Sequence, residues 1–386
     1  MRVWRSRFVF EQSPGISSEV QPAVVANRGA FQEFLDFPRE LYRHDPLWAP
    51  PLDVETESFF DARNPYWKHA ETQLFLYRDG GRVLGRVAAI ADHHFVRESG
   101  DAVGYFGHFE SVNDITVAGA LMEAAQAWLS ARGLRKMRGP INGRLENGCG
   151  FLYDGFEHLP FMMMPYNPPY YVDLMETLGL GKCRELVAYL VDLTAPIPSE
   201  VTATAERCAR EGFRVRPVNI RRWKEECRWL PALFTLAFAE HWGNVAPPPE
   251  DREYGIGQLR RLIDPSLCLV VEYDGRPVGL RWMSGDYAPI YRRLRGRLGL
   301  MGLVKFAWYR HEIRRGKSVL MGIDKEFRGR GLGTCLNHHA VREMQRRGYT
   351  ELEYSWIDEH NWPSRRAGEK LGGRLHKRYR IYEKEI

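Results

Sequence analysis

The sequence has no uninterrupted apolar run long enough to cross a bilayer. The best candidate, residues 298–309, is too short and carries Lys305. Residues 1–10 mix three arginines into a brief apolar run, unlike a secretory leader. Cysteine is scarce: the six, at positions 149, 183, 208, 227, 268 and 335, form no close pair and no metal-ligand spacing. That pattern excludes a disulfide framework and suits a reducing compartment. Asp92-His93-His94 has no third ligand nearby, so it reads as a loop and no metal is expected. The net charge of +6 on 386 residues is too small to imply a nucleic-acid partner by itself. Two nucleotide signatures are missing as well. Gly316-Lys317-Ser318 would need a glycine at 311 to form a P-loop, where His311 stands, and no G-x-G-x-x-G dinucleotide fingerprint occurs. The expectation is a cytoplasmic protein without a membrane span.

What the chain does contain is concentrated in residues 318–334, Ser-Val-Leu-Met-Gly-Ile-Asp-Lys-Glu-Phe-Arg-Gly-Arg-Gly-Leu-Gly-Thr. Residues 318–323 read as a short apolar strand, 328–333 as a glycine-punctuated turn, and Thr334 onward as a helix. Such a turn leaves backbone N–H groups unpaired beside the positive end of a helix dipole. Glycines let the backbone approach an anion closely, and Arg328 and Arg330 add positive charge. A phosphate or pyrophosphate is the natural occupant. The plainer alternative is a surface loop with two solvated arginines.

The spacing Arg328-x-x-Gly331-x-Gly333, after a strand and opening a helix, resembles the pyrophosphate loop of the GNAT superfamily of acyl-CoA-dependent N-acyltransferases. Residues 352–357, 361–373 and 379–385 are similar to the next strand, the closing helix and the last strand of that fold. The resemblance implies acetyl-CoA or a longer acyl-CoA as co-substrate. It assigns Met321, Gly322 and Ile323 to the pantetheine amides, and Arg328, Gly329, Arg330, Gly331, Leu332, Gly333, Thr334 and Asn361 to the rest of the carrier. The strand before the loop is expected to splay from its neighbour, opening a gap for the thioester.

An ordered series of repeats adds a second finding. Val20-Gln21-Pro22 recurs as Val215-Arg216-Pro217, Trp48 as Trp242, Gly85 as Gly279, Asn167 as Asn361, Glu176-Thr-Leu-Gly179 as Glu369-Lys-Leu-Gly372, and Tyr189 as Tyr382. These offsets fall between 193 and 195, half the chain length, which points to duplication. The expected architecture is α+β, an α/β/α sandwich repeated in tandem. Each half is a mostly antiparallel mixed sheet with helices on both faces. Residues 1–18 read as an extension, 19–193 as a degenerate first domain, and 194–386 as the acyl-CoA-binding domain. Opposite the loop, the first half has Glu110-Ser-Val-Asn-Asp114-Ile-Thr116, with no glycine before its helix and the wrong charge for an anion. Its Met- and aromatic-rich segment 161–171 reads either as core or as the wall of a substrate cleft.

Transfer to an amine needs a general base. Alternation along residues 352–357 puts Glu353 and Ser355 on one face and Tyr354 and Trp356 on the other, and Glu353, inside an apolar strand, is the leading candidate. Its other reading is an ion pair with an arginine. Glu351, Asp324, Glu359 and His360 are weaker candidates, and His338-His339 read as packing or surface residues. Many members of the superfamily carry a tyrosine seven residues after the asparagine equivalent to Asn361, poised to protonate the thiolate. Here that position is Gly368, which leaves Tyr382, another group or an unassisted thiolate. Residues 292–317 hold nine Lys/Arg and one Glu among Leu, Met, Phe and Trp, either a solvated face or a docking surface for an acidic carrier, CoA or a membrane. The expected function is N-acyl transfer, with N-acetyl transfer first, to a small-molecule or peptide amine. The competing class is a non-catalytic acyl-CoA-binding or nucleic-acid-associated regulator.

Overall fold

The computed structural model describes residues 22–238 and 241–386. The extension expected over residues 1–18, and Val20 and Gln21 of the repeat, lie outside the described residues. In chain order the strands are β1 (Ala23–Val24), β2 (Ala70–Asp79), β3 (Arg82–Asp92), β4 (Val103–Ser111), β5 (Lys136–Gly139), β6 (Phe151–Asp154) and β7 (Gly181–Asp192). They continue as β8 (Arg214–Pro217), β9 (Cys268–Tyr273), β10 (Arg276–Gly285), β11 (Arg315–Ile323), β12 (Glu351–Asp358) and β13 (Arg374–Glu385).

The chain divides into two compact units that do not follow its linear halves. Unit 1 runs to Leu186 and adds Ala288–Phe306 and Arg378–Ile386; unit 2 comprises Val187–Tyr287 and Ala307–Lys377. The last strand of each half thus ends in the unit built mostly by the other half. In unit 1, β13 pairs antiparallel with β5, Tyr382 opposite Gly139, and the sheet order is β1-β2-β3-β4-β5-β13. In unit 2 the order is β7-β12-β11-β10-β9-β8. β4 with β5 and β11 with β12 are parallel, whereas β1–β2, β2–β3, β3–β4 and β5–β13 in unit 1 and β8–β9, β9–β10 and β10–β11 in unit 2 are antiparallel. That is the mixed sheet expected from the sequence.

Helices cover the sheets because their apolar residues recur at helical spacing. In Leu332–Arg346 the buried positions include Leu332, Cys335, Leu336, Ala340, Val341 and Met344, one stripe of a 3.6-residue period. That stripe packs with Val201, Ala205 and Cys208 of the helix Ser199–Arg210 against Val271, Val278 and Met283. The helix Leu230–Phe238 contributes Leu230 and Leu233 to a second cluster, with Val270, Leu280, Trp282 and Leu320. In unit 1 the helix Ile115–Ser130 plays the matching part, burying Val117, Leu121 and Ala125 against Val87 and Ala89. Between β8 and Phe238 the chain does not form one continuous helix. The chain makes a short helix at Trp223–Glu226 and restarts at Leu230, where Pro231, in the first turn, has no N–H that needs a partner.

His108 of unit 1 lies among the rings of Phe34, Phe59 and Phe60, at 6.3, 5.9 and 5.1 Å between centroids, with its Nε2 sealed from solvent and unpartnered. Burial, then the charge of Arg86, pushes its pKa down to about 3. The unfolded chain therefore takes up a proton near pH 6.5 that the folded chain refuses, so stability falls as pH drops below that value. His108→Asn is expected to flatten urea-unfolding stability against pH, removing about 1–3 kcal/mol of the loss between pH 7 and 4. An unchanged slope would show that His108 is not the group responsible.

Candidate functional site

The loop forms where the sequence places it, although the helix begins at Leu332 rather than Thr334. Asp324 ends β11 and caps a single 3-10 turn, Lys325–Phe327, by accepting from the Glu326 N–H at 3.2 Å. Gly329 and Gly331 have φ of 78° and 83°, the left-handed region where a side chain is strained. Gly331 is the N-cap of the helix Leu332–Arg346 and offers no side-chain acceptor. The first N–H groups of that helix are therefore left for an outside ligand, beside the positive end of its dipole. Arg276 neutralises the nearby acids, contacting Asp324 at 2.5 Å and Glu326 at 3.4 Å, while Arg328 and Arg330 are exposed on the loop. Unit 1 lacks such an end. Asp114 caps the helix Ile115–Ser130 with its own carboxylate, accepting from the Thr116 N–H at 2.7 Å, and so occupies the place of an anion.

Upstream of the loop, β11 parts from β12. The parallel register covers Arg315 with Glu351, Gly316 with Leu352 and Lys317 with Glu353. β11 then continues to Ile323 paired only with β10, where Arg281 lies opposite Met321, Leu280 opposite Gly322 and Gly279 opposite Ile323. The β12-side backbone of residues 318–323 has no partner strand, and this is the segment holding Met321, Gly322 and Ile323.

At the base of this fork sits a buried polar cluster. Glu353 is fully buried, and its Oε1 accepts from the Ser355 hydroxyl at 2.5 Å. The Lys317 ammonium donates to the Ser355 oxygen at 3.1 Å and lies 3.8 Å from Glu353 Oε1. Burial holds the Lys317 pKa below its ordinary value against the opposing pull of Glu353 and Asp286. The second Glu353 oxygen, Oε2, is sealed from solvent with no protein partner. Glu353 and Ser355 share a face as alternation required, and the pairing cation is a lysine rather than an arginine. In the sequence Lys317 belongs both to a failed P-loop and to the basic segment 292–317, and the signal of its burial is a lysine within an apolar strand.

Arg281 was also missed. It is 1% exposed, its guanidinium lies 4.8 Å from the Tyr354 ring centroid, and Nη1 donates to the Leu320 carbonyl at 3.3 Å. Its Nε and Nη2 have no partner, and burial lowers its pKa. A buried cation so poorly paired destabilises the fold. Arg281→Met is expected to raise stability by about 1–3 kcal/mol, read by denaturant unfolding. Lower stability would show that its bond to the Leu320 carbonyl and its place over the Tyr354 ring outweigh the cost of burying the charge.

The remaining candidates are placed as follows. The Asn361 side chain caps the helix Trp362–Lys370 by accepting from the Ser364 N–H at 3.2 Å. Glu351 is ion-paired 3.7 Å from Arg315, and His360 lies 3.7 Å from Asp358. His338 and His339 lie on the helix after the loop, both with pKa values lowered by burial. Asp92 accepts from the Phe95 N–H and faces His69 at 3.1 Å, and His93 pairs with Glu71. Tyr382 belongs to unit 1, fully buried in the cluster of Phe151 and Tyr171, its pKa pushed up to about 12 by burial. Tyr189, its counterpart in the repeat, belongs to unit 2 and packs beside Gly368, its hydroxyl 2.9 Å from Glu369 and 3.1 Å from Arg365 Nε. An open cleft of about 680 Å³ at β8, lined by Arg216, Asn219 and Glu226, touches none of these groups.

Residues 230–372 match the family described as Acetyltransferase (GNAT) family. The protein YghO of Escherichia coli K12 is 31% identical over 93% of this chain and 94% of its own length. A protein of Caulobacter vibrioides named bacterial ceramide synthase is 31% identical over 92% of this chain and 94% of its own. Among solved structures, a tandem GNAT protein from the clavulanic acid biosynthesis pathway superposes with a TM-score of 0.55, at 13% identity, over 95% of this chain and 98% of that one.

Proposed function

We propose that this chain, which belongs to the GNAT superfamily of acyltransferases and has its tandem fold, transfers an acyl group from acyl-CoA to the amine of a long-chain acceptor. The observation that carries this reading is the fork of β11 and β12 leading directly into an uncapped, glycine-bordered helix N-terminus. The loop amides, Arg328 and Arg330 would hold the diphosphate. On the β12 side of β11, where alternate residues present their backbone groups, Met321 and Ile323 would pair with the pantetheine amides as an added strand does, Ile323 by releasing the Arg328 Nε that its carbonyl accepts from at 3.4 Å, with Gly322 between them. Asn361, engaged as a helix cap, would border the carrier through its position rather than its side-chain oxygen.

Glu353 is the proposed general base. It would take a proton from the amine as nitrogen bonds to the thioester carbon and the carbon–sulfur bond breaks, sending the electron pair to sulfur. Its unpartnered Oε2 is the free acceptor for that proton. The departing thiolate is weakly basic and needs little help; Tyr382, the donor expected from the sequence, lies in unit 1, and Tyr189 is the tyrosine in the same unit as the loop.

The acceptor class is supported by the relative named bacterial ceramide synthase, since a ceramide is the amide of a long-chain amine and a fatty acid. The test is release of free CoA thiol from acetyl-CoA and from palmitoyl-CoA, each against short polar amines, peptides and sphingoid-type amines. Release with palmitoyl-CoA and a sphingoid amine is the expected result. Release with acetyl-CoA and a small amine alone would replace the acceptor, and acyl-CoA binding without release in any pairing would make the chain a carrier-binding module.

A further inference from the structure

The segment between β10 and β11 carries a feature that acyl transfer does not use. In the helix Leu300–Tyr309, Leu300, Met301, Leu303, Val304 and Trp308 are 85%, 68%, 52%, 63% and 74% exposed. Only Gly302 of this helix is buried. Isolated exposed apolar residues are ordinary, but five large ones on ten consecutive positions form a contiguous patch that water disfavours.

The chain leading into the helix is fixed. Ile290 and Leu294 are buried, the Gly296 N–H donates to the Tyr291 carbonyl at 3.1 Å, and the Gly296 carbonyl accepts from the Asp53 N–H at 3.0 Å. Arg39 Nε donates to the Arg295 carbonyl at 3.2 Å. Gly296 has a φ of 72°, and a Cβ there would stand 2.5 Å from the Pro51 carbonyl oxygen. The apolar helix is therefore presented from a well-packed base.

We propose that the helix Leu300–Tyr309 docks this protein on an anionic lipid surface, lying in the plane of the headgroups with its apolar side chains in the acyl boundary. Ten helical residues span roughly 15 Å, half of a bilayer core of about 30 Å, so this helix can lie in the interface but not cross it. No helix among the described residues is long and apolar enough to cross. Trp308 is the residue type that settles at the headgroup level. Charge selects the partner. Arg292, Arg293, Arg295 and Arg297 before the helix, Lys305 within it and Arg310 after it are all exposed, and Glu312 is the lone acid across 292–317. A second copy of the chain meeting this patch symmetrically would set that positive rim against itself. An anionic leaflet neutralises it.

This inference stands on the patch and its charges, independently of acyl transfer. Flotation of the full chain with phosphatidylcholine vesicles, with and without phosphatidylglycerol, tests it. Binding to the phosphatidylglycerol vesicles is expected, weakening with added salt and falling at least about tenfold in Leu300→Glu/Trp308→Glu and in Arg292→Glu/Arg293→Glu. All four positions are exposed, so circular dichroism is expected to stay unchanged in both variants. No binding to anionic vesicles, or equal binding by the variants, would overturn the proposal. So would a wild-type dimer in light scattering that Leu300→Glu/Trp308→Glu dissociates, which would give the patch to a second copy.

Discussion

Gly331→Val is expected to weaken acyl-CoA binding at least about 100-fold, roughly 2.7 kcal/mol, in titration calorimetry, without unfolding the protein. Two effects combine at this position. The backbone there is left-handed, which costs a β-branched residue about 1–2 kcal/mol or forces the turn to rearrange. A Cβ would also stand 2.8 Å from Arg207 Nη2 and from the Thr204 methyl, so those side chains or the turn itself must give way. Either response turns the amides of Leu332, Gly333 and Thr334 away from a shared anion. Gly275→Ala, at a left-handed hairpin glycine with open space around it, is the control. It carries similar strain and is expected to lower stability by about 1 kcal/mol while leaving affinity unchanged. Unchanged affinity in Gly331→Val would remove the diphosphate from this loop.

Glu353→Gln is expected to lower kcat by about 10²–10⁴-fold with acyl-CoA affinity unchanged, since the amide keeps the shape but cannot take the proton. The competing explanation is structural: Glu353 partners Lys317 and Ser355 in a sealed site, and a neutral side chain leaves the ammonium poorly compensated. The double variant Glu353→Gln/Lys317→Met separates the two. Removing the lysine is expected to restore the melting temperature lost in the single variant, because the uncompensated charge has gone, and to leave kcat as low as before. Recovery of kcat together with stability would assign Glu353 to the ion pair alone.

Much of the candidate site was legible because it is local. A glycine at a left-handed turn, a strand ending in a capping aspartate and an apolar stripe at 3.6-residue spacing are all written within about a dozen residues. The shared face of Glu353 and Ser355 follows from the two-residue period of a strand. Lys317 was harder to read, because a lysine's role depends on which neighbour across the sheet meets it, and the register of β11 with β12 joins segments more than thirty positions apart. Arg281 is the same case: nothing near it in sequence shows that its guanidinium is enclosed with two nitrogens unpaired.

The sequence by itself determined the duplication, the glycine-bordered loop, the acidic turn in its place in the first half, and the mixed sheets with their helices. Those features rest on backbone preferences and periodicities that each segment carries wherever it is placed. Only the tertiary structure decided which final strand completes which sheet, sending Tyr189 to the unit of the loop and Tyr382 to the other. The two halves of a duplicated chain offer equivalent strand edges, so local pattern is the same for either pairing, and long-range packing makes the choice. Tertiary packing likewise decided that the apolar helix Leu300–Tyr309 finds no core among the described residues, since an apolar run reads alike whether it is buried or presented to a partner.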